Sequence, residues 1–178
     1  MMNIRNLVQR NVDELAQIGA ALSEEQLIQL AQACMDSQRI FFSGMGRSGN
    51  MVKALAIRFM HLGFDAYVAG DAATPSIQAG DLLIAVTSSA KTKVTLNHIA
   101  VAQKIGARVA LIAAATEAPL ETDCFLSIPA RTKVPSAQHA GSLFEQSVLV
   151  VGDAITSYIQ EKKNVSSEYM DRRHANLQ

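Results

Sequence analysis

The chain of 178 residues lacks sequence features that are typical of several classes of protein. Its 2 cysteines, Cys34 and Cys124, stand far apart and outside any CxxC pair, which argues against a disulfide scaffold and a zinc site. Its 16 basic and 16 acidic residues leave no net charge, so nothing suggests a nucleic-acid or anionic membrane partner. No apolar run approaches the length of a membrane span, and residues 1–10 lack the apolar core of a signal peptide. We therefore expect a cytoplasmic protein without a metal, nucleic-acid or membrane partner.

A hydrophobic content of 49% is enough for one well-buried domain in a chain of this length. We predict a single domain over residues 1–178, with N-terminal helices in 1–36, a core in 37–163 and a tail in 164–178. Apolar residues recur at helical spacing from Ile4 to Gln32, interrupted by a capping box at Ser23 and Gln26, which indicates a helical hairpin. The tail has few apolar residues, so we expect another subunit to order it.

Apolar strands alternate with helical patterns through the rest of the chain. This alternation predicts an α/β fold of three layers, α/β/α. Its middle layer is a doubly wound, five-stranded parallel sheet, as in flavodoxin-like proteins. The predicted strands are 39–42, 64–69, 81–86, 108–113 and 124–128, and the predicted helices are about 48–62, 94–105 and about 141–162.

The first predicted strand runs through a glycine-rich turn into a helix. In this turn, Gly44-Met45-Gly46-Arg47-Ser48-Gly49, glycines let the backbone approach a phosphate and the helix N-terminus points unpaired N–H groups at it. Ser48 adds a hydroxyl, and Arg47 adds a positive charge suited to phosphate. Helix capping is the alternative role for Ser48, and it is compatible with phosphate binding.

A second loop follows the third predicted strand and carries four hydroxyl side chains in six residues, Thr87-Ser88-Ser89-Ala90-Lys91-Thr92. The first loop alone also fits the G-x-G-x-x-G dinucleotide pattern, with Asp71 roughly 20 residues on, where an acid would bind ribose. Two hydroxyl-rich helix starts suit one compact phosphate monoester better than a dinucleotide. We therefore predict a phosphosugar held by Gly46, Arg47, Ser48, Thr87, Ser89 and Thr92.

These residues resemble the sugar isomerase (SIS) domain, and within it the 6-phospho-3-hexuloisomerases, from the N-terminal hairpin to the last residues. The resemblance is carried by Gly44–Gly49, Arg58–Gly63, Thr74-Pro75, Leu143–Glu145 and Arg173–Leu177. It implies interconversion of 3-hexulose 6-phosphate and fructose 6-phosphate without a metal or other cofactor, in formaldehyde fixation or the reverse supply of pentose phosphate. It also implies a homotetramer or dimer with shared active sites.

The second loop departs from the pattern of that family, which usually reads S-G-S-G-E-T. An expected glycine is Ala90 and an expected glutamate is Lys91. If the glycine position needs a positive φ, Ala90 costs about 1 kcal/mol or more. The departure leaves open an isomerase for another phosphosugar, or a non-catalytic sugar-phosphate sensor on the same fold.

Moving a carbonyl between neighbouring carbons needs a base for the carbon-bound proton and an acid for the oxygens. Glu145 is the candidate base, and His61 or His174 is the candidate acid. Each of the first two also has a simpler interpretation. Glu145 fits a solvated glutamate beside the apolar stripe of its helix, and His61 fits a structural histidine at a helix end. His174 gains a role only if the tail covers a partner's site. His98 and His139 carry no motif, so we expect surface or packing roles for them.

Overall fold

The computed structural model describes residues 3–177. Two helices joined by a short turn, α1 (Ile4–Ala21) and α2 (Glu24–Met35), open the chain and form the predicted hairpin. The Ser23 hydroxyl accepts a hydrogen bond from the Gln26 N–H and so caps α2, as the sequence predicts.

The core is a five-stranded sheet in the order β2-β1-β3-β4-β5, and every neighbouring pair is parallel. The strands are β1 (Arg39–Gly44), β2 (Asp65–Val68), β3 (Leu82–Val86), β4 (Arg108–Ala113) and β5 (Cys124–Ser127). The helices between and after them are α3 (Gly46–His61), α4 (Lys93–Ile105), α5 (Ser142–Lys162) and α6 (Ser167–Arg172). The prediction of a doubly wound parallel sheet is confirmed.

Helices cover both faces of this sheet. On one face, α4 packs over Phe41, Leu83 and Leu111, whereas α2, α3 and α5 pack over Ile40, Phe42 and Leu82 on the other. Successive residues along each strand therefore pack alternately against the two helical layers, as expected for a sheet that is buried on both sides. Among the described helices, none is long and apolar enough to cross a membrane.

The chain reverses its direction of travel across the sheet between β1 and β3. From β1 the chain crosses to β2 at one edge, and from β3 it proceeds to β4 and β5 at the other. In open parallel sheets, such a switch point leaves a crevice at the carboxyl ends of the two strands, where ligands bind. The register pairs Gly44 with Val86, so the two loops that follow these residues start side by side.

The tail differs from the prediction that another subunit orders it. It contains α6, which lies against α3 of its own chain. Val165 and Met170 pack against the core, and the Arg173 Nε donates a 2.6 Å hydrogen bond to the Met60 carbonyl. A few such contacts dock the segment, which the low apolar content had concealed.

Candidate active site

Two glycines of the turn between β1 and α3 are required there, Gly49 because a side chain has no room and Gly46 because its φ is positive. A Cβ on Gly49 would lie 2.8 Å from the Gly44 carbonyl oxygen, and Gly46 has φ +58°. Helix α3 begins at Gly46, two residues before the predicted start, because the Gly49 N–H already bonds the Met45 carbonyl. Within the described part of the chain, no side chain caps this helix. Its first N–H groups are therefore free to bind a phosphate.

The second loop lies beside the first and gathers its hydroxyl groups at the start of α4. The Thr87 and Thr92 hydroxyls lie 3.2 Å apart, and the Ser89 hydroxyl accepts a 3.3 Å hydrogen bond from the Lys91 N–H. Thr92 stands at the N-cap of α4 without capping it. Two helix starts with nearby hydroxyls thus face one crevice.

Ala90 adopts the backbone conformation that the glycine of the family pattern would favour. Its φ is +52°, in the left-handed region that costs a residue with a Cβ about 1 kcal/mol. The positive φ on which the predicted cost of Ala90 depends is therefore present. The loop is held with the Ala90 N–H bonded to the Thr87 carbonyl at 3.3 Å.

Glu145 meets the glycine turn from a third element. It lies in the first turn of α5, which packs against α3, and its carboxylate forms an ion pair with the Arg47 Nε. The Glu145 side chain is 14% exposed and that of Arg47 is 63% exposed. A carboxylate is therefore held beside the glycine turn while the cation remains open to solvent. The shoulder position predicted for Glu145 is what brings it to the crevice.

His61 and His174 lie at the opposite end of α3. The helix runs from Gly46 to His61, a rise of about 22 Å, which separates His61 from the glycine turn of the same chain. The two imidazole rings are stacked with their centroids 3.9 Å apart. Burial lowers the pKa of His61, and the positive charges of His174, Arg58 and Arg173 lower it further. Among the described residues, none bonds the Nδ1 of this buried histidine. Within one chain, the structure brings Glu145 to the glycine turn and leaves both histidines away from it.

The sheet, the two loops and Glu145 all lie within the part of the chain that a family model matches. The model of the SIS domain matches residues 35–153, more than half of the chain. The chain belongs to the SIS domain family. The match begins at the end of α2 and ends within α5, so it includes both loops and Glu145.

Individual relatives support the assignment to the SIS family, and their alignments cover nearly the whole chain. The 3-hexulose-6-phosphate isomerase of Mycobacterium gastri is 38% identical over 173 residues, which cover 93% of this chain and 87% of the relative. The enzyme of the same name from Bacillus subtilis is 36% identical, with 99% of this chain and 100% of the relative covered. A crystal structure from Methanococcus jannaschii, from which a 3-hexulose-6-phosphate isomerase function was inferred, has a TM-score of 0.86 at 26% identity. It covers 97% of this chain and 99% of its own.

Sequence reasoning missed one polar pair beneath the glycine turn of the SIS domain. The His98 Nδ1 and the hydroxyl of Ser43 lie 2.8 Å apart, and Ser43 is fully buried. His98 was expected to be a surface or packing residue; it is a half-buried packing residue with a specific partner. The signal was Ser43 itself, since a hydroxyl in a buried strand needs a hydrogen-bond partner.

Asp71, the ribose-binding residue of the dinucleotide interpretation, has another partner in the SIS domain. Its carboxylate lies 3.2 Å from the Lys53 ammonium on α3. Within residues 3–177, no cluster of three or more His, Cys, Asp or Glu side chains could hold a metal ion. The polar groups gathered at the crevice are hydroxyls, backbone N–H groups, one guanidinium and one carboxylate, a set suited to phosphate binding and proton transfer.

Proposed function

We propose that this protein is a phosphosugar isomerase that interconverts 3-hexulose 6-phosphate and fructose 6-phosphate. The reaction class is that of an intramolecular oxidoreductase of the keto-isomerase type. The observation that carries the proposal is the carboxylate of Glu145 beside the glycine turn, within a chain whose relatives bear the name of this isomerase. With this reaction, the protein is proposed to act in formaldehyde assimilation by the ribulose monophosphate route.

The phosphate is proposed to bind between the two loops. Backbone N–H groups at Gly46 and the hydroxyl of Ser48 would donate from the first loop, and Thr87, Ser89 and Thr92 from the second. Arg47 would turn from Glu145 toward the phosphate, since its largely exposed side chain is free to move. Charge-assisted hydrogen bonds of this kind fix the position of the phosphate, and so hold the reacting carbons of the sugar in place.

Glu145 is proposed to move the carbon-bound proton. Starting from fructose 6-phosphate, its carboxylate removes the proton from C3, and the electrons of that bond form the C2–C3 double bond of an enediol. The C2 carbonyl oxygen takes up a proton at the same time. Return of the carbon-bound proton to C2 and loss of the C3 hydroxyl proton then give the 3-hexulose. One base serves both carbons because they are neighbours, and no proton is gained or lost overall.

The acid that serves the oxygens is proposed to be a histidine of a neighbouring subunit. His61 and His174 lie about 22 Å along α3 from the turn of their own chain, which favours a contribution in trans. The proposal is therefore a cytoplasmic homotetramer, or dimer, with shared active sites. Each subunit would be one SIS domain over 1–178, with helices in 1–36, the core in 37–163 and the tail in 164–178.

Two alternatives rest on the second loop. Ala90, with its positive φ, and Lys91, in place of the glutamate usual in the family, change the phosphate loop itself. An isomerase for another phosphosugar would keep Glu145 as its base and differ in the sugar it accepts. A non-catalytic sensor would bind a sugar phosphate and leave it unchanged.

The test is incubation of the purified protein, without added metal, with fructose 6-phosphate and in parallel with a pentulose 5-phosphate and an amino-hexose 6-phosphate. Products are identified by carbon NMR. The proposal predicts 3-hexulose 6-phosphate from fructose 6-phosphate and no conversion of the other two. Conversion of another sugar alone supports the first alternative. Thermal stabilisation by fructose 6-phosphate without any product supports the sensor.

A further inference from the structure

The segment 135–141 leads directly into α5 and is held by little packing. Val134 is buried before it and Leu143 after it, but none of residues 135–142 is fully buried. Ala140 has φ +47°, a conformation that costs a residue with a Cβ on the order of 1 kcal/mol. Hydrogen bonds must therefore hold this segment in place, because apolar burial does not.

Three of the hydrogen bonds that hold the segment end on one carboxylate of α1, and another runs from the Arg131 guanidinium to the Ala140 carbonyl at 3.0 Å. Glu14 is buried, with 6% of its surface exposed, and lies 122 residues before Ser136 in sequence. It accepts hydrogen bonds from the Ser136 hydroxyl at 2.7 Å, the Ala137 N–H at 2.9 Å and the Gln138 side-chain amide at 2.9 Å. Three consecutive residues of the segment are thus held by one carboxylate.

The same segment contacts the proposed base. Three residues after Gln138, Gly141 lies so close to Glu145 that a Cβ built on it would be 3.1 Å from the Glu145 Oε1. The Glu145 N–H also donates a 2.9 Å hydrogen bond to the Gly141 carbonyl. A shift of the segment would therefore move backbone atoms that lie against the Glu145 carboxylate.

We propose that Glu14 is a positioning residue of the isomerase: its carboxylate holds residues 136–138, and through them Gly141, where they set the position of Glu145. The inference rests on the proposed function of Glu145 as the base. A misplacement of about 1 Å can cost a reaction as much as 10²-fold, so a remote residue can control turnover by this route.

The ionisation of Glu14 agrees with this role. Burial alone would raise the pKa of its carboxyl, but the hydrogen bonds from residues 136–138 and the charge of Arg10, 4.0 Å away, together lower it below the ordinary value. The anchored conformation therefore favours the charged carboxylate.

The test uses Glu14→Gln, which keeps the shape of the side chain and removes one acceptor oxygen with the charge. Ile18→Val is the matched control, since it weakens the packing of α1 one turn away and leaves the carboxylate intact. Ser136→Ala is a second variant that removes one donor with little risk to folding. For each protein, kcat, KM, thermal stability and amide hydrogen exchange are measured.

We expect Glu14→Gln to lower kcat about 10-fold with KM within about threefold, because the phosphate ligands lie on other loops. Ser136→Ala should lower kcat about threefold. Amide exchange at Ala137, Gln138 and Ser142 should quicken in both variants and stay unchanged in Ile18→Val.

A Glu14→Gln enzyme whose kcat stays within about twofold of that of Ile18→Val would overturn the inference, as would unchanged amide exchange in residues 136–142. Failure of the proposed function gives a different result, because the unaltered protein would then lack isomerase activity. In that case the exchange measurement still decides whether Glu14 holds the segment.

Discussion

The two ends of α3 present opposite environments. At the N-terminal end, Ser48 is buried behind the glycine turn, the first N–H groups of the helix are open, and a carboxylate from α5 lies beside Arg47. At the C-terminal end, His61 is buried beneath the chain's own tail and stacks on His174. One end has open donors and an exposed cation, whereas the other has cationic groups packed together, where burial lowers the pKa of His61.

This difference indicates how the proposed chemistry is divided. The phosphate loops and the base come from one chain, so they can be tested by variants of that chain alone. The acid is proposed to come from a neighbour, so it is tested by mixing subunits. Variants at the two ends of α3 separate these contributions, and the largest effect is expected from the base.

Glu145→Gln should lower kcat by about 10²- to 10⁴-fold, the usual contribution of a general base. Binding of fructose 6-phosphate should change little, because the proposed phosphate ligands lie on the two loops and the amide has nearly the same size and shape as the carboxylate. The measurement is steady-state kinetics together with calorimetric binding. Glu161→Gln, an exposed glutamate of the same helix, is the control and should retain full activity. Near-normal turnover in Glu145→Gln would show that another residue is the base.

Subunit mixing tests the histidine end. His61→Asn should lower kcat about 10²-fold, since it removes the proposed acid. Unfolding and refolding a mixture of His61→Asn and Glu145→Gln subunits should restore activity, because some sites would combine an intact Glu145 with an intact histidine from the neighbouring subunit. The readout is activity against mixing ratio, with each variant refolded alone as the control. Mixed oligomers that form and remain inactive would exclude a shared site using His61.

Ser48→Leu should weaken binding of every phosphosugar by about 10- to 100-fold, because the lost hydrogen bond and the added bulk both oppose a charged ligand. Calorimetry with fructose 6-phosphate and with inorganic phosphate measures the effect. Ser157→Leu, at an exposed position of α5, provides a matched control that should bind normally. Equal affinities for the two variants would remove the phosphate site from this loop.

Ala90→Gly should stabilise the fold by about 1 kcal/mol, because glycine adopts the +52° φ of this position without the cost of a Cβ. Chemical denaturation measures the difference. Ala100→Gly, at an exposed position of α4, is the matched control and should destabilise by a similar amount, since there the glycine weakens a helix. A loss of stability in Ala90→Gly would mean that Ala90 makes contacts that outweigh its backbone strain.

The sequence was sufficient for the elements that have strong local patterns. Buried strands such as β4, and the N-cap at Ser23, follow from hydrophobicity and capping chemistry alone. The other half of the predicted capping box does not form, because the Gln26 side chain accepts a hydrogen bond from the Ser127 N–H instead. The positions of the two loops at the ends of β1 and β3 were also predictable, because glycine and hydroxyl residues directly follow apolar strands there. Phosphate binding by these loops stays a prediction. The start of α3 was misplaced by two residues, since the Met45–Gly49 hydrogen bond cannot be inferred from composition.

Contacts between distant segments could not be predicted in the same way. The hydrogen bond between Glu14 and Ser136 joins residues 122 positions apart, and Ser43 finds His98 across 55 positions. The tail docks on α3 through a few contacts that its polar composition conceals. In each case the local sequence indicates that a polar group needs a partner, and only the fold determines which one.

The most direct test of the central claim is incubation with fructose 6-phosphate in deuterated water, without added metal, followed by NMR. The account predicts deuterium at C3 of the recovered fructose 6-phosphate and at C2 of the 3-hexulose product, with both signals lost in Glu145→Gln. Product that forms without deuterium would mean that the base shields its proton from solvent. The absence of both exchange and product from the unaltered protein would contradict the account.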